Sequence, residues 1–259
     1  MIKAFLFDLD GVFYINNTLL KGANETIEWF QKKKIPYRFL TNNTTLSRRN
    51  LAIKMNGIGL RIKENEIISA NYAGVLLLKK LKFSNCRLIL DNKAIEDYKD
   101  FNVKENDPEA IVIGDIGNLW NYDLMNNLMK QILNGSKLIA LHKGRYYETN
   151  LGLTLDSGAF VVGLEHATQT KAIVVGKPES TFFEIATETF ECQPEEIGMI
   201  GDDLNNDIEG GLKMGYNTFL VKTGKYRENI FKNSLIKPNY CIESIAILPK
   251  TLESNHLIE

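Results

Sequence analysis

Polar side chains suited to phosphate chemistry follow four short apolar stretches of this sequence. Two carboxylates come first, then a hydroxyl with two amides, then a lysine, and finally a cluster of carboxylates. In chain order these groups are Asp8-Leu9-Asp10-Gly11, Thr41-Asn42-Asn43, Gly176-Lys177-Pro178-Glu179 and Gly201-Asp202-Asp203-Leu204-Asn205-Asn206-Asp207. Ligands of open α/β sheets bind outside the carboxyl ends of strands, so the four groups are candidates for one site.

The combination favours phosphoryl transfer through an aspartyl phosphate. An aspartate can act as a covalent nucleophile and divide one difficult hydrolysis into two easier steps. Several carboxylates would repel a phosphate dianion, and Mg²⁺ together with Lys177 would offset their charge. The carboxylates concerned are those of Asp8, Asp10, Asp202 and Asp207. We therefore expect a Mg²⁺ site among them.

Position suggests two further roles. Asp10 stands two residues beyond Asp8, and Gly11 allows the chain to turn back there. The carboxyl group of Asp10 could then face the leaving-group oxygen, acting first as a general acid and later as a general base. The hydroxyl of Thr41 and nearby backbone N–H groups could hold the remaining phosphate oxygens.

Each group also has an ordinary structural interpretation. An Asp or Asn after a strand is commonly a helix N-cap, which applies to Asn42 and Asn43. Lys177 by itself would be a solvated lysine. Spacing does not decide which carboxylate of the last cluster touches the metal. There we rank Asp202 first, Asp207 next and Asp203 third.

Short apolar runs alternate with helical stretches along the chain, which indicates an α/β fold with a mostly parallel sheet. Strands are predicted at 1–8, 37–41, 66–70, 87–90, 110–114, 137–141, 172–176, 198–201 and 217–221. Helices are predicted at 23–34, 46–56, 71–81, 122–133 and from about 179 onward. The second of these should end at Gly57, and 102–108 should be a loop.

Composition excludes several classes of protein. The 259 residues, 44% hydrophobic and 24% charged, suffice for one large domain or two modest ones. A net charge of −1 gives no global attraction to nucleic acid or to an anionic membrane. The 3 cysteines form no CxxC, so neither a disulfide framework nor a thiolate zinc site is expected. Without a signal-peptide pattern or a long apolar run, we expect a cytoplasmic protein.

The four groups resemble the motifs of the haloacid dehalogenase superfamily of phosphohydrolases. Asp8-Leu9-Asp10-Gly11-Val12 is similar to its nucleophile motif, Thr41 to its second motif and Lys177 to its third. Gly201-Asp202 with Asp207 is similar to the fourth. The order and spacing match along the whole chain. The long interval between Thr41 and Lys177 resembles the NagD-type class, in which a large α/β cap is inserted there.

The resemblance implies a doubly wound, Rossmann-like parallel-sheet core with an inserted α/β cap. The core would comprise residues 1–80 and 174–259, and the cap residues 81–173. The same resemblance implies a Mg²⁺-dependent phosphatase that acts on a small phosphorylated compound and that could form a homodimer through the cap. No nucleic-acid or membrane partner is expected.

The resemblance also implies roles for individual residues. Asp8 would be the nucleophile and Asp10 the general acid/base. Mg²⁺ would be bound by Asp8, by the main-chain carbonyl of Asp10 and by Asp202, with Asp207 in support. Phosphate would be held by Thr41, Asn42, Asn43 and Lys177.

Two other readings compete with a phosphatase. A dehalogenase or phosphomutase could use the same fold, but a halide leaves without protonation, so the acid at Asp10 favours phosphoryl chemistry. A non-catalytic phosphate-binding module would be expected to have lost one of the motif residues, and none is lost. Pyrophosphate, phosphoamino acids, sugar phosphates and nucleotide monophosphates all remain open as substrates.

Overall fold

Strands and helices alternate in the computed structural model, which describes residues 1–149 and 152–258. The strands are β1 (Ala4–Asp8), β2 (Tyr14–Ile15), β3 (Thr18–Leu19), β4 (Tyr37–Thr41), β5 (Ile67–Ser69), β6 (Asn85–Ile89), β7 (Asn102–Val103), β8 (Ala110–Ile113), β9 (Lys137–Ala140), β10 (Tyr146–Thr149), β11 (Gly152–Leu155), β12 (Ile173–Val174), β13 (Ile197–Gly201), β14 (Asn217–Val221) and β15 (Tyr240–Ile242). The α-helices are α1 (Ala23–Lys33), α2 (Arg48–Gly57), α3 (Ala70–Lys80), α4 (Tyr122–Leu133), α5 (Gly158–Thr168), α6 (Ser180–Thr187), α7 (Gly210–Lys213), α8 (Glu228–Asn233) and α9 (Leu248–Ser254).

Contacts divide the chain into two compact units. The first comprises Met1–Thr41, Leu51–Ile68 and Lys177–Glu259, and the second comprises Asn42–Asn50 and Ser69–Gly176. Each unit is built on its own parallel sheet. The boundaries expected from the sequence, with a cap at 81–173, stay a prediction.

The first unit has a six-stranded sheet in the order β15-β14-β13-β1-β4-β5. β1 pairs in parallel with β13 on one side and with β4 on the other, and β14 joins β13 to β15 in the same sense. β4 and β5, which come early in the chain, lie on one side of β1, and the late strands β13, β14 and β15 lie on the other side. The sheet is therefore doubly wound with its reversal point at β1, which confirms the predicted fold class.

Aromatic packing fixes the segment that follows β1. Phe13 is fully buried and makes edge contacts with Phe7 and Phe39, at centroid distances of 5.5 and 5.3 Å. The residues after it form the β2–β3 hairpin, whose turn has Asn16 and Asn17 at positive φ. Sequence patterns did not predict this hairpin, because its strands are only two residues long. The aromatic contacts hold the chain immediately after Asp10.

The second unit has a five-stranded parallel sheet in the order β12-β9-β8-β6-β7, together with the antiparallel hairpin β10–β11. Its core includes Ile111 and Leu128, against which the partly buried Trp120 packs. Trp120 stacks on Phe160 with a centroid distance of 4.3 Å and an interplanar angle of 7°. Trp120 is therefore a packing residue of this unit's core.

Three details differ from the sequence-based prediction. α2 begins at Arg48, later than expected, because the Asn43 side chain accepts hydrogen bonds from Thr45 N and Leu46 N and holds a turn there. The helix ends at Gly57 as expected, but the left-handed glycine that follows it is Gly59, with φ +94°, so the left-handed cap expected at Gly57 was wrong. The expected loop at 102–108 begins with β7, an exposed edge strand that is too short, at two residues, to show a strand pattern in the sequence.

Membrane insertion by a helix has no support in the fold. Within residues 1–149 and 152–258, no helix has both the length and the apolar character needed to cross a bilayer.

Candidate active site

Asp8 is the last residue of β1, at the carboxyl end of the first unit's sheet. The register pairs Asp8 with Leu40, so Thr41 stands one residue further along the neighbouring strand. On the other side Phe7 pairs with Ile200, so the end of β13 at Gly201 lies beside Asp8. Strand pairing therefore brings the first, second and fourth motifs to one edge of the sheet.

Lys177 lies between two carboxylates. Its Nζ donates to Asp8 Oδ1 at 2.6 Å and to Asp207 Oδ1 at 2.7 Å, and its side chain is only 4% exposed. Burial alone would lower the pKa of Lys177, but the charges of Asp207 and Asp8 outweigh burial and raise it. The ammonium group is thus charged at neutral pH, and the alternative of a solvated lysine is wrong.

Three buried carboxylates form a cluster that could hold a metal ion. Asp8, Asp202 and Asp207 each offer an oxygen, and these oxygens lie within 4.8 Å of one another. Burial, followed by repulsion from Asp8, raises the pKa values of both Asp202 and Asp207. The cluster therefore lacks positive charge even with Lys177 present.

Asp202 has one oxygen held by the chain and one without a partner. Its Oδ2 accepts a hydrogen bond of 2.6 Å from the backbone N–H of Lys225. Its Oδ1 is buried and has no hydrogen-bond partner among the described residues. A buried carboxylate oxygen without a donor is costly unless a cation or a proton satisfies it. Asp202 Oδ1 therefore fits a metal ligand, and its hard oxygen chemistry fits Mg²⁺.

Asp207 and Asp203 are engaged differently. Asp207 accepts from Lys177 with Oδ1 and from the backbone N–H of Asp203 with Oδ2 at 3.1 Å, so both of its oxygens have donors. Asp203 accepts from the backbone N–H groups of Asn205 and Asn206, from the Asn206 amide and from Lys225 Nζ. Burial would raise the pKa of Asp203, but Lys225 and these donors lower it to about 2. Asp203 is thus an anchoring carboxylate, and it caps the π-helical turn Leu204–Glu209 that carries Asp207.

Asp10 lies at the exposed rim of the site. The pKa of its carboxyl is raised, first by partial loss of hydration and then by the charge of Asp8, whereas Lys225 and the N–H of Gly11 lower it. Gly11 has φ +81° and donates its N–H to Tyr14 O at 2.8 Å, so the chain turns back directly after Asp10. A carboxyl with a raised pKa suits a residue that must donate a proton.

The amides after Thr41 have different surroundings. Thr41 ends β4 and is half-buried, which leaves its hydroxyl near the edge of the sheet. Asn42 is also half-buried, and its phosphate-binding role stays a prediction. Asn43 uses its side-chain oxygen to accept from Thr45 N at 3.2 Å and Leu46 N at 2.9 Å. The capping alternative therefore describes the geometry of Asn43, and its predicted contact with phosphate stays untested.

The predicted metal set combines side chains and one main-chain group. Asp8, Asp202 and Asp207 form the carboxylate cluster, with Asp202 offering the unpartnered oxygen. Asp10 was assigned to the metal through its main-chain carbonyl, and that assignment stays a prediction.

Sequence reasoning missed a fifth group, the residues after β14. Thr223 donates from its hydroxyl to Gly11 O, Gly224 has φ +56°, and the N–H of Lys225 donates to Asp202. The signal was available, since polar residues and a glycine directly follow a predicted parallel strand. Tyr14 was also missed: burial raises its pKa, and the charges of Asp10 and Asp8 add to that effect.

Known families and proteins match over most of the chain. Residues 5–104 match the family described as Haloacid dehalogenase-like hydrolase, and residues 174–248 match a HAD-hydrolase-like family. The chain is 40% identical over 227 residues to Haloacid dehalogenase-like hydrolase domain-containing protein 2 of Rattus norvegicus, covering 88% of this chain and 86% of that protein. It is 32% identical over 252 residues to the Phospholysine phosphohistidine inorganic pyrophosphate phosphatase of Xenopus laevis, covering 95% and 92%.

A solved structure shares the fold. NagD from E. coli K-12 superposes with a TM-score of 0.85 over 95% of this chain and 97% of its own, at 24% identity. Together with the sequence matches, this likeness confirms the resemblance noted from the motifs. The chain therefore belongs to the haloacid dehalogenase-like hydrolase family, as an enzyme of the phosphatase class.

Proposed function

We propose that this protein is a Mg²⁺-dependent phosphatase that hydrolyses a small phosphorylated compound through an aspartyl phosphate on Asp8. One observation carries the proposal. Asp8, Asp202 and Asp207 converge in a buried cluster, Lys177 joins two of them, and Asp202 Oδ1 has no hydrogen-bond partner among the described residues. Such a cluster lacks positive charge, and a divalent cation with a phosphate dianion would complete it.

In the first step an oxygen of Asp8 attacks the phosphorus atom, and the bond between phosphorus and the leaving oxygen breaks. Asp10, protonated at this stage, gives its proton to that oxygen, so the product leaves as an alcohol or an acid. The raised pKa of Asp10 supports this role, because a larger fraction of the enzyme then carries the proton.

In the second step Asp10 is a carboxylate and takes a proton from a water molecule. The oxygen of that water attacks phosphorus, the bond between phosphorus and Asp8 breaks, and inorganic phosphate leaves. Asp8 returns to a carboxylate and Asp10 to an acid, so the cycle closes without another reactant.

The remaining residues bind and orient the phosphoryl group. Lys177 Nζ is fixed beside Asp8 and would stabilise negative charge on the transferred group. The Thr41 hydroxyl and the amides of Asn42 and Asn43 would hold its other oxygens. When bound by Asp8, Asp202 and the Asp10 carbonyl, with Asp207 in support, Mg²⁺ would polarise a phosphoryl oxygen and offset the carboxylate charge.

Replacement of Asp8 by Asn tests the mechanism. Purified protein should release phosphate from an aryl phosphate such as p-nitrophenyl phosphate only when Mg²⁺ is present. Asp8→Asn should abolish turnover, because an amide cannot form the acyl phosphate. Asp10→Asn should lower kcat strongly with little effect on Mg²⁺ binding. Circular dichroism of both variants provides the control for folding.

Two results would contradict the mechanism. Undiminished turnover by folded Asp8→Asn, or by wild type in excess chelator, would exclude the nucleophile or the metal. Release of halide from a haloacid, or phosphate transfer within one sugar phosphate, would favour the dehalogenase or the phosphomutase. Phosphate binding without any turnover would favour a non-catalytic module.

A screen of phosphorylated metabolites by phosphate release would identify the substrate class. One relative is named for phospholysine, phosphohistidine and inorganic pyrophosphate, so these compounds belong in the screen. Phosphoamino acids, sugar phosphates and nucleotide monophosphates complete it.

We further propose that residues 81–173 form a cap on a catalytic core of residues 1–80 and 174–259. The separate five-stranded sheet of the second unit supports an inserted domain. A homodimer through the cap is proposed on resemblance alone, and light scattering after size exclusion would test it. Free Cys86, Cys192 and Cys241 and a net charge of −1 support a cytoplasmic protein without a nucleic-acid or membrane partner.

A further inference from the structure

We propose that the turn formed by Thr223, Gly224 and Lys225, here called the Asp202 clamp, sets the Mg²⁺ affinity of the site by orienting Asp202. Its members are positioning residues, which act through Asp202 and Gly11. The inference rests on the proposed function, since it assumes that Asp202 is a metal ligand.

The first element of the clamp is a backbone amide. The N–H of Lys225 donates to Asp202 Oδ2 at 2.6 Å, whereas Asp202 Oδ1 has no donor among the described residues. A carboxylate held by one oxygen cannot rotate without losing that bond. The amide therefore selects the oxygen that is presented to a cation.

The second element is the close approach of two glycines to Oδ2 of that carboxylate. Gly224 has φ +56° and Gly11 has φ +81°, and a Cβ on either residue would overlap Asp202 Oδ2. A Cβ on Gly224 would also meet Gly11 Cα. Two glycine backbones thus approach the same oxygen of Asp202 closely, and a larger residue at either position would displace the carboxylate.

The third element connects the clamp to the nucleophile loop. The Thr223 hydroxyl donates to Gly11 O, and Gly11 is the residue after Asp10. The side chain of Lys225 reaches Asp203 Oδ2 at 2.9 Å, which ties the same turn to the π-helical segment. The clamp therefore joins the ends of β1, β13 and β14.

Metal ligands held by hydrogen bonds bind more tightly than free ones, and loss of such a supporting contact typically costs 10- to 100-fold in affinity. Thr223→Val removes the hydroxyl and keeps the side-chain shape, whereas Thr223→Ser keeps the hydroxyl. We expect Thr223→Val to weaken Mg²⁺ binding by roughly 10-fold and Thr223→Ser to bind as wild type does.

Gly224→Ala provides a stronger perturbation with a matched control. It adds a methyl group that overlaps Asp202, at a left-handed position that strains any L-residue. Gly117 has the same φ of +56° but open space around its Cβ position, and it lies in the other compact unit. Gly117→Ala therefore reproduces the strain without the overlap. Only Gly224→Ala should weaken Mg²⁺ binding, by roughly 100-fold.

Titration calorimetry with MgCl₂ on substrate-free protein measures the affinity directly, and Mn²⁺ binding followed by electron paramagnetic resonance gives a second readout. In turnover assays the loss in Thr223→Val should disappear at saturating Mg²⁺, because positioning affects metal affinity and leaves kcat intact. A general structural defect would persist at any Mg²⁺ concentration.

The outcomes separate the clamp from the proposed function. If wild type binds no Mg²⁺, the metal site itself fails. If wild type binds Mg²⁺ and Thr223→Val binds it equally well, the clamp is wrong and the phosphatase proposal stands. Should Gly224→Ala not fold, the Thr223 pair still decides, and equal losses in Thr223→Val and Thr223→Ser would also overturn the inference.

Discussion

Replacement of Lys177 by methionine isolates the contribution of the buried ammonium group. Methionine keeps a similar length and apolar stem but removes the charge that joins Asp8 to Asp207. Removal of one partner from a buried ion pair typically costs about 3–5 kcal/mol, because the remaining charge is left without compensation. Because both carboxylates are buried, we expect the free energy of unfolding of Lys177→Met in EDTA to be lower than that of wild type by this amount.

Mg²⁺ should reverse part of this loss. When ionised, the cluster of Asp8, Asp202 and Asp207 carries three negative charges, and Lys177 offsets one of them. Without the lysine a cation meets a larger negative charge and no competing ammonium group. The rise in thermal midpoint on adding Mg²⁺ should therefore be larger for Lys177→Met than for wild type. Turnover should nevertheless fall by at least about 100-fold, since the transition state loses a fixed positive charge.

Urea or thermal unfolding in EDTA and in Mg²⁺ measures both effects. A loss of about 3–5 kcal/mol in the free energy of unfolding corresponds to a decrease of roughly 6–20 °C in the thermal midpoint of a protein of this size. Lys213→Met is the matched control, since Lys213 forms an exposed i,i+4 pair with Glu209 at 2.9 Å. That pair should contribute no more than about 0.5 kcal/mol. Equal stability of Lys177→Met and Lys213→Met in EDTA would refute the argument from burial.

Two further predictions concern the units separately. Burial alone would raise the pKa of Glu165, but hydrogen bonds from Lys143 and the Ala172 N–H outweigh it and lower the pKa. Glu165→Gln should therefore lower the free energy of unfolding by about 1 kcal/mol at pH 7. That cost should shrink as the pH falls below the ordinary value of 4.5 and through the lowered folded pKa, which urea unfolding across pH would detect. Phe13→Ala should cost about 3–5 kcal/mol by leaving a cavity beside Phe7 and Phe39. The kcat of Phe13→Ala should be lower than that of Phe13→Leu, because Phe13 holds the chain after Asp10. Equal kcat values in the two variants would show that this packing does not position Asp10.

The sheet was predictable because parallel strands have a simple signature. A strand buried on both faces reads as a continuous apolar run, as in residues 4–7 of β1 and in β8. Helix α4 was predicted at its observed bounds, Tyr122–Leu133. The Asn121 side chain caps its first turn by accepting a hydrogen bond from the N–H of Leu124. The β2–β3 hairpin and the edge strand β7 carry neither signature, because they are short and mostly exposed.

The charged part of the site was predictable for a different reason. Asp8 ends β1 and Asp202 directly follows β13, and pairing in a parallel sheet brings those ends together. Lys177 follows β12, which belongs to the other sheet, so its contact with Asp8 does not follow from strand pairing. Their distinct roles were not predictable, because these depend on side-chain contacts between distant segments. Asp202 and Asp203 are neighbours in the sequence, yet one has an unpartnered oxygen and the other has four donors.

The same distinction explains how the chain can hold carboxylates together without neutralising them. It fixes Asp202 and Asp207 with backbone N–H groups, which orient oxygens but add no full charge. Among the described residues, Lys177 is the one whose side chain forms ion pairs with this cluster, so a formal charge of −2 remains when all three carboxylates are ionised. Burial, and after it repulsion from Asp8, raises the pKa values of Asp202 and Asp207, so ionisation of either carboxyl is unfavourable, and a bound divalent cation would favour it. A net charge of −1 for the whole chain conceals this local excess of negative charge, which is the physical basis of the proposed Mg²⁺ requirement, because the excess would repel a phosphate dianion from Asp8.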